Sequence, residues 1–117
     1  MENLRDLQSQ VQKFCEERDW DQYHTPKELA IGLVTEASEL LDLFRFQSGK
    51  QIAEMLENPS QREKIEDEMA DVFFFLLRFS QKHQVSLAEA LTRKIEKNAQ
   101  KYPVEKAKGQ NTKYNQL

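Results

Sequence analysis

One cysteine, three glycines and three prolines are all that the 117-residue chain contains of these types. A lone Cys15 excludes an internal disulfide and is in keeping with a reducing compartment. So few chain breakers among many helix formers predict an all-α protein. Positive charge is not in excess: the formal net charge is −3 and the pI about 5.5. That leaves no electrostatic case for binding a nucleic-acid polymer. The longest apolar run, Val72 to Leu77, is far too short to cross a bilayer. Met1 to Asp6 lacks the basic-then-apolar pattern of a secretory signal. The expectation is a soluble cytoplasmic protein of one domain, with no membrane partner.

What is present has helical periods. Leu4, Leu7, Val11, Phe14 and Cys15 recur at three- and four-residue steps, predicting a helix that ends near Glu17. Arg18 to His24 is polar and aromatic without a period and reads as a loop. Thr25-Pro26-Lys27-Glu28 is a capping box with proline at the first helical position, so a second helix runs from there to about Phe46. Its apolar arc is Leu29, Leu33, Ala37, Leu40, Leu41 and Phe44. Ser48-Gly49-Lys50 reads as its end, Gln51 to Glu57 as a short helical turn, and Asn58-Pro59 as a break. Ser60-Gln61-Arg62-Glu63 then starts a long helix to about His83. Val72 to Leu77 and Phe79 make its middle apolar on all sides, which predicts that it is surrounded. A domain this small covers only part of such a helix, so part of it is expected in a homo-oligomer interface. Ser86-Leu87-Ala88-Glu89 opens a last helix to about Lys101, with Leu87, Leu91 and Ile95 as its buried stripe. The architecture expected is an antiparallel four-helix bundle assembled into a homo-oligomer, with residues 1–103 as the domain and 104–117 as a loose or neighbour-docked tail.

Two acidic pairs stand out, Glu36-Ala-Ser-Glu39 and Glu68-Met-Ala-Asp71, each spaced i, i+3 on its helix. A lone pair of this kind is usually a solvated face. Here Glu36 borders the apolar arc beside Leu29 and Leu40, Val72 and Phe75 lie beside Glu68 and Asp71, and Thr35 and Ser38 are small enough for close helix approach. Four carboxylates meeting between two helices need positive charge among them, and a hard divalent cation such as Mg²⁺ supplies it. Neither pair ends in histidine, which disfavours a ferritin-like iron site. His83 reads as a surface residue at a helix C-terminus. Trp20, Tyr23 and His24 suit either a bundle cap or a pocket that stacks a base, and Lys94, Lys97 and Lys101 either a solvated face or a phosphate row.

These elements together resemble the all-α nucleoside triphosphate pyrophosphohydrolases, the MazG-like superfamily. The resemblance is closest to its small branch of dCTP pyrophosphatase type. It rests on the two acidic pairs, the stretch Arg18 to His24, Leu43-Phe44-Arg45-Phe46, Asp67 to Val72, Lys97-Asn98 and Lys101-Tyr102-Pro103, and it spans nearly the whole chain. Thr35 stands where the superfamily often has another Glu, and Phe46 where the dCTP-type relatives carry Trp. The resemblance implies hydrolysis of a nucleoside triphosphate between its α- and β-phosphates, giving monophosphate and pyrophosphate. It also implies Mg²⁺ held by Glu36, Glu39, Glu68 and Asp71, with Glu39 as the base that orients water. Trp20, His24 and Phe46 are then candidates for the base pocket, and Lys94, Lys97, Asn98 and Tyr102 for phosphate and sugar. It implies a site built with a partner subunit, in a dimer or a tetramer of dimers. Rival readings are a relative acting on dUTP or phosphoribosyl-ATP, and a non-catalytic oligomeric interaction module.

Overall fold

Every regular element is helical among residues 2–117, which the computed structural model describes, and no strand occurs there. Side chains set the helix starts. Asn3 caps α1 (Leu4–Glu17), and Asp6 returns the bond in a full capping box. Thr25 accepts from the Glu28 amide and Pro26 fills the first position of α2 (Pro26–Phe44). Two starts differ from expectation. Ser48 begins a helix rather than ending one: with Gln51 it forms a capping box for α3 (Gly49–Glu57). A reciprocal Ser-x-x-Gln box satisfies two amides, which outweighs the helix-ending preference of Gly49. Asn58 caps α4 (Pro59–Lys82), its Oδ1 accepting from the amides of Ser60 and Gln61. The Asn-Pro pair is thus a start, because proline at the first position lacks only an amide that would have had no partner. Ser86 caps α5 (Leu87–Lys101) as expected.

The chain divides into two compact units after Gln84. In the first, α4 is the spine and α1 and α2 both run antiparallel to it. Gln8 reaches Ser80 while Phe14 meets Phe74. Gly32 faces Phe75 while Glu36 and Glu39 approach Glu68. Cys15, Leu29, Ile65 and Leu77 form the fully buried apolar core. The inward stripe of α2 is rotated from the expected arc: Glu36 lies on it with Gly32, Leu33 and Leu40, whereas Leu41 is 69% exposed. The middle of α4 is not covered all round. Leu77 is buried, but Met69, Phe73 and Leu76, spaced along one side, are exposed. The charged Arg78 is buried in their place, at 1% exposure.

The second unit holds α5, a short α6 (Val104–Ala107) and a 3₁₀ turn (Tyr114–Gln116). Leu91 and Ile95, expected buried, are exposed; the other helical pieces described in this unit are four and three residues long, too short to cover such a stripe. Tyr114 packs edge-on against Tyr102, and the Lys101 ammonium sits 4.9 Å from its ring centroid.

Candidate active site

Antiparallel packing of α2 on α4 brings Glu36, Glu39 and Glu68 together, with one carboxylate oxygen from each within 4.8 Å of the others. Glu36 and Glu68 are half-buried and Glu39 exposed. Burial is the first cause that raises the Glu36 carboxyl above the ordinary carboxylate range, followed by the adjoining Glu39 and the charges of Asp71 and Glu68. Glu68 is raised by burial and then by the charges of Glu39 and Asp71. Its Oε2 is buried without any hydrogen-bond partner. An orphaned carboxylate oxygen facing two more carboxylates fits a hard cation, and the all-oxygen donor set suits Mg²⁺-like ions rather than thiophilic ones. Asp71, one turn beyond Glu68, is exposed and outside the group of three.

Asp71, whose charge still acts on Glu36 and Glu68, also lines an open cleft of about 450 Å³ between α1 and α4, with Gln10, Val11, Phe14, Trp20, Phe74 and Phe75. Trp20 reaches it because α1 ends abruptly. Asp19 takes a left-handed conformation (φ 56°), and the Trp20 amide turns back to donate to the Cys15 carbonyl at 3.0 Å. Trp20 meets Phe14 edge-on at 5.7 Å and His24 at 6.0 Å between ring centroids. His24 is held from two sides. Its Nδ1 accepts from Arg78 Nε at 2.9 Å, and its carbonyl oxygen lies 2.9 Å from His83 Nε2. Burial and then the Arg78 charge lower the His24 pKa, so its ring is neutral near pH 7.

The other expected residues are carried by other elements. Phe46 follows α2 in the left-handed region (φ 66°), 87% exposed, with the Arg45 guanidinium over its ring. Such a conformation costs an aromatic residue about 1–2 kcal/mol. Lys94, Lys97 and Asn98 lie exposed on α5, and Tyr102 caps its end. The close helix approach expected at Thr35 and Ser38 occurs one turn earlier: both are exposed, and Gly32 lets the Phe75 ring sit against the α2 backbone. His83 is no free surface residue but a tie to the loop. Arg78 went unread too. A lone arginine inside a phenylalanine-rich run is the signal, since such a charge must find a buried partner.

The MazG-like family model matches residues 31–117. The rat dCTP pyrophosphatase 1 is 33% identical over 97% of this chain and 67% of its own length. The human dCTP pyrophosphatase 1 is 31% identical over the same shares. A crystal structure of a pyrophosphatase from Archaeoglobus fulgidus aligns with a TM-score of 0.80 and 36% identity, covering 88% of this chain and 94% of that one. An acid cluster between two antiparallel helices, a family match that includes both of them, and relatives alike along nearly the whole chain give one conclusion: the chain belongs to the MazG-like family.

Proposed function

We propose that this chain, a hydrolase and nucleotide pyrophosphatase, converts deoxynucleoside triphosphates, dCTP first, to monophosphate and pyrophosphate with Mg²⁺ as cofactor. The observation that carries the reading is the orphaned Glu68 Oε2 inside the three-carboxylate group, one helical turn from a cleft lined by aromatic rings. Glu36, Glu39, Glu68 and Asp71 hold the cation. When bound, it supplies the positive charge that lets an anionic triphosphate approach and makes a water more acidic. Glu39, the exposed member, orients the attacking water and takes its proton. Trp20 receives the base in the cleft, with His24 against its ring, and Phe46 offers a further ring. Lys94, Lys97, Asn98 and Tyr102 contact phosphate and sugar. The place of action is the cytoplasm, in nucleotide-pool housekeeping; no helix among the described residues is long and apolar enough to cross a membrane. The 117-residue chain, given each dNTP, dUTP and phosphoribosyl-ATP with Mg²⁺, is expected to release pyrophosphate fastest from dCTP. A profile confined to dUTP or phosphoribosyl-ATP would overturn the substrate assignment.

The working form is a homodimer or a dimer of dimers, completing a four-helix-bundle core of residues 1–103 with 104–117 as its tail. Support comes from two uncovered apolar stripes in the first unit: Ile31, Val34 and Leu41 on α2, and Met69, Phe73 and Leu76 on α4. Phe74 is unsuited to testing this, because it packs within the chain on Phe14 and Phe75. Phe73, 41% exposed, is the better probe. Phe73→Lys is expected to shift sedimentation towards monomer and to reduce turnover at least tenfold. Full turnover by a monomer would contradict the oligomeric site.

A further inference from the structure

We propose that Arg78 is the positioning residue of the aromatic loop, the group that holds the Trp20 ring at the cleft. The functional part of this assignment rests on the proposed nucleotide reading. Arg78 is 1% exposed and sits in a stretch of α4 that is otherwise apolar, apart from Ser80. A buried guanidinium needs several partners, and here each of its nitrogens has one. Nε donates to His24 Nδ1 at 2.9 Å, and Nη1 donates to Gln81 Oε1 at 2.7 Å. Nη2 pairs with the Asp21 carboxylate. Asp21 and His24 are themselves the two ends of the turn in which the His24 amide donates to the Asp21 carbonyl at 3.3 Å, directly after Trp20, so two bonds to one guanidinium fix both ends of that turn. The Asp21 carboxyl is accordingly held below its ordinary range, chiefly by the Arg78 bond. Among the described residues the Trp20 side chain makes no hydrogen bond; its ring is placed by Phe14, His24 and the backbone that Arg78 restrains.

Arg78 therefore acts at a distance from the carboxylates, and its loss should weaken substrate binding more than the chemical step. The chain has a single Trp, so fluorescence excited selectively at tryptophan, past the tyrosine absorption, reports this loop alone. The experiment compares the wild-type 117-residue chain with Arg78→Met, Arg78→Lys and Asp21→Asn. Replacing a buried ion pair by an apolar side chain of similar volume is often tolerated, and Asp21 is half exposed, so Arg78→Met leaves no charge stranded. In Arg78→Met, Trp20 emission is expected to shift to the red and quenching by acrylamide to rise, without any nucleotide present. With dCTP and Mg²⁺, KM should rise about tenfold and kcat stay within about twofold. Arg78→Lys should recover part of both, since it keeps the charge facing Asp21 but not the fork that reaches His24. Unchanged emission and quenching, or an unchanged KM with shifted emission, overturns the assignment. If Arg78→Met does not fold, Asp21→Asn decides by the same readouts. If wild type turns over no nucleotide, the functional reading falls, while Trp20 emission still decides whether Arg78 holds the loop.

Discussion

Glu68→Gln is expected to lower turnover at least about a hundredfold and, in the same protein without metal, to raise the melting temperature. The opposite signs come from one cause. Glu68 Oε2 is buried with no partner beside two other carboxylates, and burial and the neighbouring charges push its pKa up. An acid whose pKa is higher folded than unfolded favours folding fully only below its ordinary value. That contribution is lost as pH rises through the folded pKa. Glu36 is displaced in the same direction. The metal-free wild type should therefore gain stability as pH falls from 7 towards the ordinary carboxylate value of 4.5, and Glu68→Gln should flatten that gain. A divalent cation that binds only the folded form stabilises by mass action, so Mg²⁺ should raise the wild-type melting temperature and do little for the variant. Losing a ligand or a preorganised charge at such a site typically costs a factor of 10² or more in rate. Pyrophosphate release and thermal melts with and without Mg²⁺ check both arms. Retention of activity within threefold would remove Glu68 from the site.

Gly32→Ala should be nearly as damaging, although Gly32 touches no substrate. A Cβ there would lie 2.6 Å from Phe75 Cζ and closer still to Cε1, where real contacts begin near 3.0 Å. The exchange gains roughly 1 kcal/mol of helix propensity and incurs roughly 1–3 kcal/mol of overpacking, so stability changes by about 2 kcal/mol at most. Activity is more sensitive. Phe74 packs edge-on against Phe75 at 5.6 Å, so part of the overlap is expected to be relieved by α2 moving off α4 rather than by the ring alone. Gly32 is one turn before Glu36, and Phe75 one turn after Asp71. Separation there spreads the carboxylates, and a misplacement of about 1 Å costs on the order of a hundredfold in rate. Gly32→Ala combined with Phe75→Leu should recover part of the loss, a coupling that a double-mutant cycle measures. Independent, additive effects of the two changes would show that their contact does not set the helix spacing.

The parts of the fold that were legible in the chain are those governed by local chemistry. The apolar period of Leu4 to Cys15, the Thr25-Pro26 start and the Ser86 cap each act within a few residues, and each helix forms where they place it. Ser48 and Asn58 were harder, because each sits beside a residue that speaks for the opposite role. The outcome depends on which amides find a partner. A helical wheel put Glu36 near the apolar side but could not orient α2. The rotation follows from the missing side chain at Gly32, which lets Phe75 in and carries Leu41 outward. Arg78 with Asp21 and His24 joins residues more than fifty positions apart, beyond any local pattern.

Glu68, Asp71, Phe75 and Arg78 follow steps of three, four and three residues, so they fall on one stripe of a single helix. From Asp71 to Arg78 is seven residues, about 10.5 Å along the axis at 1.5 Å per residue. The acid end and the loop anchor are thus marks on one ruler, and under the proposed nucleotide reading α4 gauges the reach from phosphate to base. Loop substitutions leave that gauge intact, whereas one residue inserted between the marks would turn the anchor through about 100° and set the two ends facing different ways.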